Sequence, residues 1–156
     1  MSMPWSDLKF QKIESELLTQ AEVLAPAFCE FLIEQDLPVS LNEELTRLYL
    51  PLAAWLAQQV KSSGPLMVGI NGSQGSGKST LCAILAELLE KGFSQRCSVL
   101  SIDDLYLTKA QRQELARRVH PLLLTRGVPG THDVELGLKF FEKLRNATDR
   151  SCTPIP

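Results

Sequence analysis

The sequence predicts an α/β fold with a parallel sheet, and three observations carry that prediction. Two short apolar runs, Leu66–Ile70 and Ser98–Ile102, read as buried strands. Each is followed by a stretch read as a helix, the first from apolar residues at helical spacing and the second from its capping box. A glycine-rich turn joins the first run to its helix. The division along the chain is a helical N-terminal segment over residues 1–62, packing on a core over residues 63–156.

The elements follow in order. Leu8, Ile13, Leu17 and Leu18 begin one apolar face, and Val23, Leu24, Ala27, Phe28 and Phe31 continue it. Asp36–Pro38 breaks that run, and Ser40 with Glu43 three residues on forms a capping-box pattern for the next helix. Leu45, Leu48, Leu52, Leu56 and Val60 recur at steps of three and four. Pro51 lies inside this pattern and predicts a kink or two abutting helices.

Ser62-Ser63-Gly64-Pro65 is a loop signature that separates the helical segment from the first apolar run. Leu81, Ile84, Leu85, Leu88 and Leu89 mark a helix ending near Gly92. After the second run, Thr108 caps a helix from Lys109 to Val119, with Gln111 completing the box. A loop holding Pro121, Gly127, Pro129 and Gly130 leads to a last helix that reaches Arg145 and buries Val134, Leu138, Phe141 and Leu144. Two strands are few for a parallel sheet covered on both faces, so the chain reads as the N-terminal half of a longer protein.

Composition narrows the function classes. The 156 residues carry a net charge of −2, with 44% hydrophobic and 22% charged residues, the balance of an ordinary globular domain. No basic stripe suits nucleic acid, and Arg117-Arg118 is only a local pair. Apolar stretches such as Leu52–Leu56 fall far short of the roughly 18 residues that cross a bilayer. With no leader pattern in view, the expected compartment is cytoplasmic, with neither membrane nor nucleic acid as partner. Cys29, Cys82, Cys97 and Cys152 form no CxxC pair, so they read as isolated thiols. Trp5 and Trp55 read as packing residues and His120 as structural, and no feature assigns an oligomeric state.

One motif is specific. Gly72-Ser73-Gln74-Gly75-Ser76-Gly77-Lys78-Ser79 fits GxxxxGK[ST], a pattern that this composition would produce by chance roughly 0.3% of the time. Its setting, between an apolar run and an amphipathic helix, is the one the motif requires. Glycines let successive backbone N–H groups face one concave space, and the helix adds its positive N-terminal end. Lys78 is then placed for the β- and γ-phosphates, Ser79 for Mg²⁺, and Thr80 for the α-phosphate. Nucleotide binding is the expectation, against a plain Gly/Ser-rich turn.

Two further clusters bear on an acceptor. Ser101-Ile102-Asp103-Asp104-Leu105-Tyr106 puts two carboxylates at the end of the second apolar run. A hydroxyl attacking a γ-phosphate needs an oxygen base near the metal, and Asp103 is the choice, with Asp104 in reserve; the plain alternative is that both acids cap a loop. Arg126-Gly127-Val128-Pro129-Gly130-Thr131-His132-Asp133 reads two ways. Arg126 and His132 suit an anionic or hydroxylated acceptor, and equally the stretch is a helix entry with Asp133 as N-cap.

These three motifs, in this order and spacing, resemble the D-glycerate 3-kinase family and its related ATP-dependent kinases. That group is similar to phosphoribulokinase, uridine kinase and pantothenate kinase among the P-loop kinases. The resemblance covers residues 50–156 and is loose before them. It implies a three-layer P-loop NTPase sandwich, with ATP and Mg²⁺ as cofactors and a small-molecule hydroxyl substrate such as glycerate. It implies Lys78 and Asp103 as catalytic residues, Ser79 and Asp103 on the metal, and Asp104, Tyr106, Arg126, His132 and Asp133 toward the substrate. Members of the group continue past a proline near Pro156 into a further acidic strand and an arginine-bearing lid, which are not in this sequence. The rival class is a regulatory ATPase or GTPase, or a nucleotide-binding module without chemistry. No Asn-Lys-x-Asp or Asp-x-x-Gly signature supports a switch protein.

Overall fold

The structure, a computed structural model, describes residues 14–146. Trp5, Leu8, Ile13, Cys152 and the closing Pro154–Pro156 stretch lie outside the described residues. The chain divides into two compact units, one ending at Val99 and one beginning at Leu100.

In the first unit, three helices bury one apolar cluster. Helix α1 spans Glu14–Glu34, α2 spans Leu50–Ser63 and α3 spans Lys78–Phe93. Phe28 and Leu32 of α1, Leu50 at the start of α2, and Ile84 and Leu88 of α3 are fully buried together. Their spacing of three and four places each set on a single stripe. Trp55 packs against the same cluster, as expected. Helix α1 runs through Pro26, which has no N–H to offer the preceding turn. The Gln20 side-chain amide donates to the Gly92 carbonyl at 2.7 Å and ties α1 to the end of α3.

Between α1 and α2 the chain coils tightly. Val39–Glu44 is a 3₁₀ turn, and Leu45–Tyr49 is a π-helical turn that runs directly into α2. Pro51 sits in the first turn of α2, where its missing N–H costs nothing, so abutting helices are the observed solution. Ser40 does not cap. Pro38 occupies the cap position with no side-chain bond, because the 3₁₀ winding starts two residues earlier than the pattern implied.

The expected parallel sheet is corrected by this structure. No strand occurs among the described residues, so a P-loop NTPase three-layer sandwich is not what they form. Leu66, Met67 and Val68 belong to no regular element and are exposed, Met67 by 74%, and Val99 is also exposed. Ile102, read as the end of the second strand, instead opens a 3₁₀ turn over Ile102–Leu105. An apolar run becomes a strand only when neighbouring backbone takes up its N–H and C=O groups. Alternation of elements in sequence does not supply that neighbour.

In the second unit, α4 spans Lys109–Arg118 and α5 spans Val134–Asn146. Thr108 and Gln111 form the expected capping box on α4. Pro121–Leu124 is a 3₁₀ turn entered through His120, whose Nδ1 accepts from the Leu122 N–H at 3.2 Å, so His120 is structural as expected. Arg112 is buried and donates from Nε to the Leu107 carbonyl and from a terminal nitrogen to the Leu124 carbonyl. Those bonds hold both ends of the α4 hairpin. The expected burial of Val134, Leu138, Phe141 and Leu144 on α5 is not found, since all four are exposed, Val134 and Leu138 by 66% and 61%. Gly137 is the α5 residue that packs inward, against Leu105. No helix among the described residues is long and apolar enough to cross a membrane.

Candidate functional site

The glycine loop belongs to the first unit and ends at Gly77, the N-cap of α3. Gly75 and Gly77 have φ of 76° and 82°, the left-handed region in which a side chain is strained. A Cβ on Gly72 would stand 2.9 Å from Ser76 Oγ, so the loop also closes tightly on itself. Ser76 N–H donates to the Ser73 carbonyl at 3.3 Å and fixes that turn.

Lys78 folds back across the loop. Its Nζ donates to the Gly72 carbonyl at 2.9 Å and to the Ser73 carbonyl at 2.6 Å. The cationic head therefore stands over the loop mouth, next to the first amides of α3, which have no carbonyl four residues back to bond. Positive charge and free N–H groups on one concave surface suit a polyphosphate. Ser79 lies exposed in the first turn of α3.

Ser76, Lys78 and Thr80 also line a cavity of about 520 Å³. Apolar lining comes from the coil between α1 and α2, in Leu37, Leu41, Leu48 and Tyr49, and from Ile70 and Leu81. Burial, and then the Glu44 carboxylate, push the Tyr49 phenol above its ordinary value, so the wall stays uncharged. Sequence reasoning missed this wall. Helical spacing assigned Leu48 to packing, Leu37 and Leu41 carried no expectation, and no motif marks them.

The second unit holds the other candidate residues. Asp104 and Ser101 form a capping box on the 3₁₀ turn: Asp104 Oδ2 accepts from the Ser101 N–H at 3.0 Å, and Ser101 Oγ accepts from the Asp103 N–H at 3.2 Å. Asp103 gives this turn its backbone, while its side chain is exposed. Tyr106 and His132 are brought together by an antiparallel bridge, and their rings stack with centroids 4.1 Å apart. The Arg126 guanidinium lies over the other contact of that cluster, 5.4 Å from the Tyr106 ring centroid. His132 Nε2 is buried without a hydrogen-bond partner among the described residues. Asp133 Oδ1 accepts from the Leu136 N–H at 2.9 Å and caps α5, the helix-entry role.

The donor set bears on the implied Mg²⁺. Among the described residues, no group of three His, Cys, Asp or Glu side chains is placed to hold a metal ion. That fits magnesium arriving on a nucleotide, which needs one or two protein oxygens and otherwise takes phosphate and water. The exposed Ser79 hydroxyl and the exposed Asp103 carboxylate are oxygens of the required kind.

Comparison with known proteins gives a consistent set. The chain is 46% identical over 84 residues to an uncharacterized kinase, mug58, of Schizosaccharomyces pombe, a match covering 51% of this chain and 30% of that protein. It is 32% identical over 128 residues to the chloroplastic D-glycerate 3-kinase of Arabidopsis thaliana, covering 74% and 28%. It is 27% identical over 124 residues to a pantothenate kinase of Streptococcus pneumoniae, covering 69% and 39%. The chain thus spans well under half the length of each of these relatives. No family model matches, and no solved structure is significantly similar.

Proposed function

We propose, from the chain's similarity to kinases that include D-glycerate 3-kinase and pantothenate kinase, that the protein transfers the γ-phosphate of ATP to a hydroxyl of a small molecule. The observation that carries the reading is Lys78, its ammonium held over the glycine loop by the Gly72 and Ser73 carbonyls. A lysine so placed is a point charge for a terminal phosphate.

The residues take the following roles in this proposal. Backbone N–H groups of Gly72 to Ser79 bind the polyphosphate and hold it in one orientation. Lys78 exchanges its carbonyl contacts for β- and γ-phosphate oxygens and follows the charge that develops in transfer. Asp103, whose side chain the capping turn leaves exposed, accepts the proton of the attacking hydroxyl. Mg²⁺, with the Ser79 hydroxyl as a protein ligand, would supply charge neutralisation on the phosphate oxygens. Arg126 and His132, gathered around Tyr106, offer a cation and a ring nitrogen to an acceptor carrying a carboxylate. Glycerate has that carboxylate beside its hydroxyls, and the relative named D-glycerate 3-kinase supports it as the first acceptor to try.

The test is a phosphoryl-transfer screen of the full chain with Mg·ATP against glycerate, pantothenate and nucleosides. Acceptor-dependent ADP formation supports the proposal, with Lys78→Ala lowering turnover on the order of 10²-fold. Hydrolysis that needs no acceptor would replace it with a regulatory ATPase.

A further inference from the structure

Arg112 is charged and only 8% exposed, yet it pairs with no carboxylate among the described residues. Its guanidinium reaches two backbone carbonyls instead, Leu107 from Nε at 3.1 Å and Leu124 from a terminal nitrogen at 2.9 Å. Leu107 directly follows Tyr106, and Leu124 lies two residues before Arg126. We propose that Arg112 is a positioning residue for the acceptor: it sets the span between these two backbone segments and so holds the Arg126 guanidinium over the Tyr106 ring. This rests on the kinase reading and deepens it, because a helix residue outside the three motifs then governs acceptor recognition.

The first support is the cost of the residue. A buried guanidinium gives up its water, whereas a methionine or leucine would fill the same space without that penalty. What the planar fork adds is a fixed distance between two acceptors, which neither an apolar side chain nor a single-headed lysine supplies.

The second is the position of Leu107. Its carbonyl accepts from Arg112, and its N–H donates to the Thr131 carbonyl at 2.9 Å, so it is held on both sides. The loop between Leu124 and Thr131 is thereby tied at each end. At one end the fully buried Thr131 donates its hydroxyl to the Val128 carbonyl at 2.6 Å, and the Tyr106–His132 bridge follows. At the other end the Arg112 bond ties Leu124 to α4.

Losing the fork therefore has a selective consequence. The Tyr106–His132 stack keeps its own backbone bonds. Arg126, 5.4 Å from the Tyr106 ring centroid and exposed, is the member released.

The experiment uses the full chain as Arg112→Lys, Arg112→Met, Arg126→Met and Arg112→Lys with Arg126→Met, with thermal unfolding confirming that each is folded. Arg112→Lys keeps the charge but has one head, so it carries the test if Arg112→Met fails to fold. In chains labelled with ¹³C-arginine, NMR signals lost in Arg126→Met identify that side chain. Those signals should carry the Tyr106 ring-current shift in wild type and lose it in both Arg112 variants. Both variants should raise the acceptor KM about tenfold, with kcat and the KM for ATP unchanged. The double variant should be no worse than Arg126→Met alone, because Arg112 acts through Arg126. A retained ring-current shift, or losses that add in the double variant, overturns this inference and leaves the kinase reading in place. A wild-type chain with no acceptor-dependent transfer removes the kinase reading and this inference with it.

Discussion

The ring of Tyr106 lies against the imidazole of His132, with centroids 4.1 Å apart and planes 26° from parallel. The backbone is responsible for the pairing. Leu107 N–H donates to the Thr131 carbonyl and Asp133 N–H to the Leu105 carbonyl, which lock the two residues side by side. Arg126 completes the cluster above the Tyr106 ring, and His132 Nε2 is left with a valence that the described residues do not fill.

His132→Ala should therefore raise the acceptor KM about tenfold or more, because an acceptor oxygen loses its partner in a partly desolvated place. The KM for ATP should not change. Tyr106→Phe retains the stack and should behave as wild type, while Tyr106→Ala should reproduce the His132→Ala effect. Steady-state kinetics with the best acceptor from the screen decide this, and an unchanged acceptor KM in His132→Ala would refute the role.

Asp103 and Asp104 are adjacent but separable. Asp104 accepts from the Ser101 N–H, so Asp104→Ala should lower stability by about 0.5–1 kcal/mol while leaving a measurable rate. Asp103→Asn should leave stability unchanged, preserve ATP binding and cut transfer steeply. Denaturant midpoints and turnover measured on both variants test the assignment. The reverse pattern would move the base to Asp104.

Arg112 predicts a structural effect with no direct role in chemistry. Arg112→Met keeps the apolar stem but leaves the Leu107 and Leu124 carbonyls without their charged donor. The expected cost is about 2–3 kcal/mol, read as a lower denaturant midpoint. A midpoint within experimental error of wild type would show that those carbonyls find water instead.

Cys97 sets a pH dependence. Burial, and then the Glu90 carboxylate, raise its thiol above the ordinary value of 9.0. The folded chain thus holds the proton more tightly than the unfolded chain. The associated stability is complete below pH 9.0 and is lost as pH rises through the folded value. Wild type should lose stability above that point by more than Cys97→Ala does. Equal alkaline slopes for the two proteins would show that the thiol is not linked to folding.

The residues read along the chain determined the helices and the loop. Leu24, Phe28, Ile84 and Leu88 announced their burial by spacing, because a helix needs only its own backbone to form its bonds and its stripe merely finds a partner. Gly75, Gly77 and Lys78 announced a tight turn, because glycine permits the left-handed backbone there and the lysine folds back onto the turn's carbonyls. Thr108 with Gln111 likewise fixed where α4 begins.

Tertiary structure decided the rest. Leu66–Ile70 had the composition of a strand, but pairing comes from another segment, and the run stays unpaired and largely exposed. Arg112 resembled any other helix cation until two distant carbonyls turned it inward. Leu41, Leu48 and Tyr49 came to line one cavity with Lys78 only through the coil between α1 and α2. Local bonds and spacing can be read from neighbours in sequence; which surfaces meet depends on contacts between residues far apart in it.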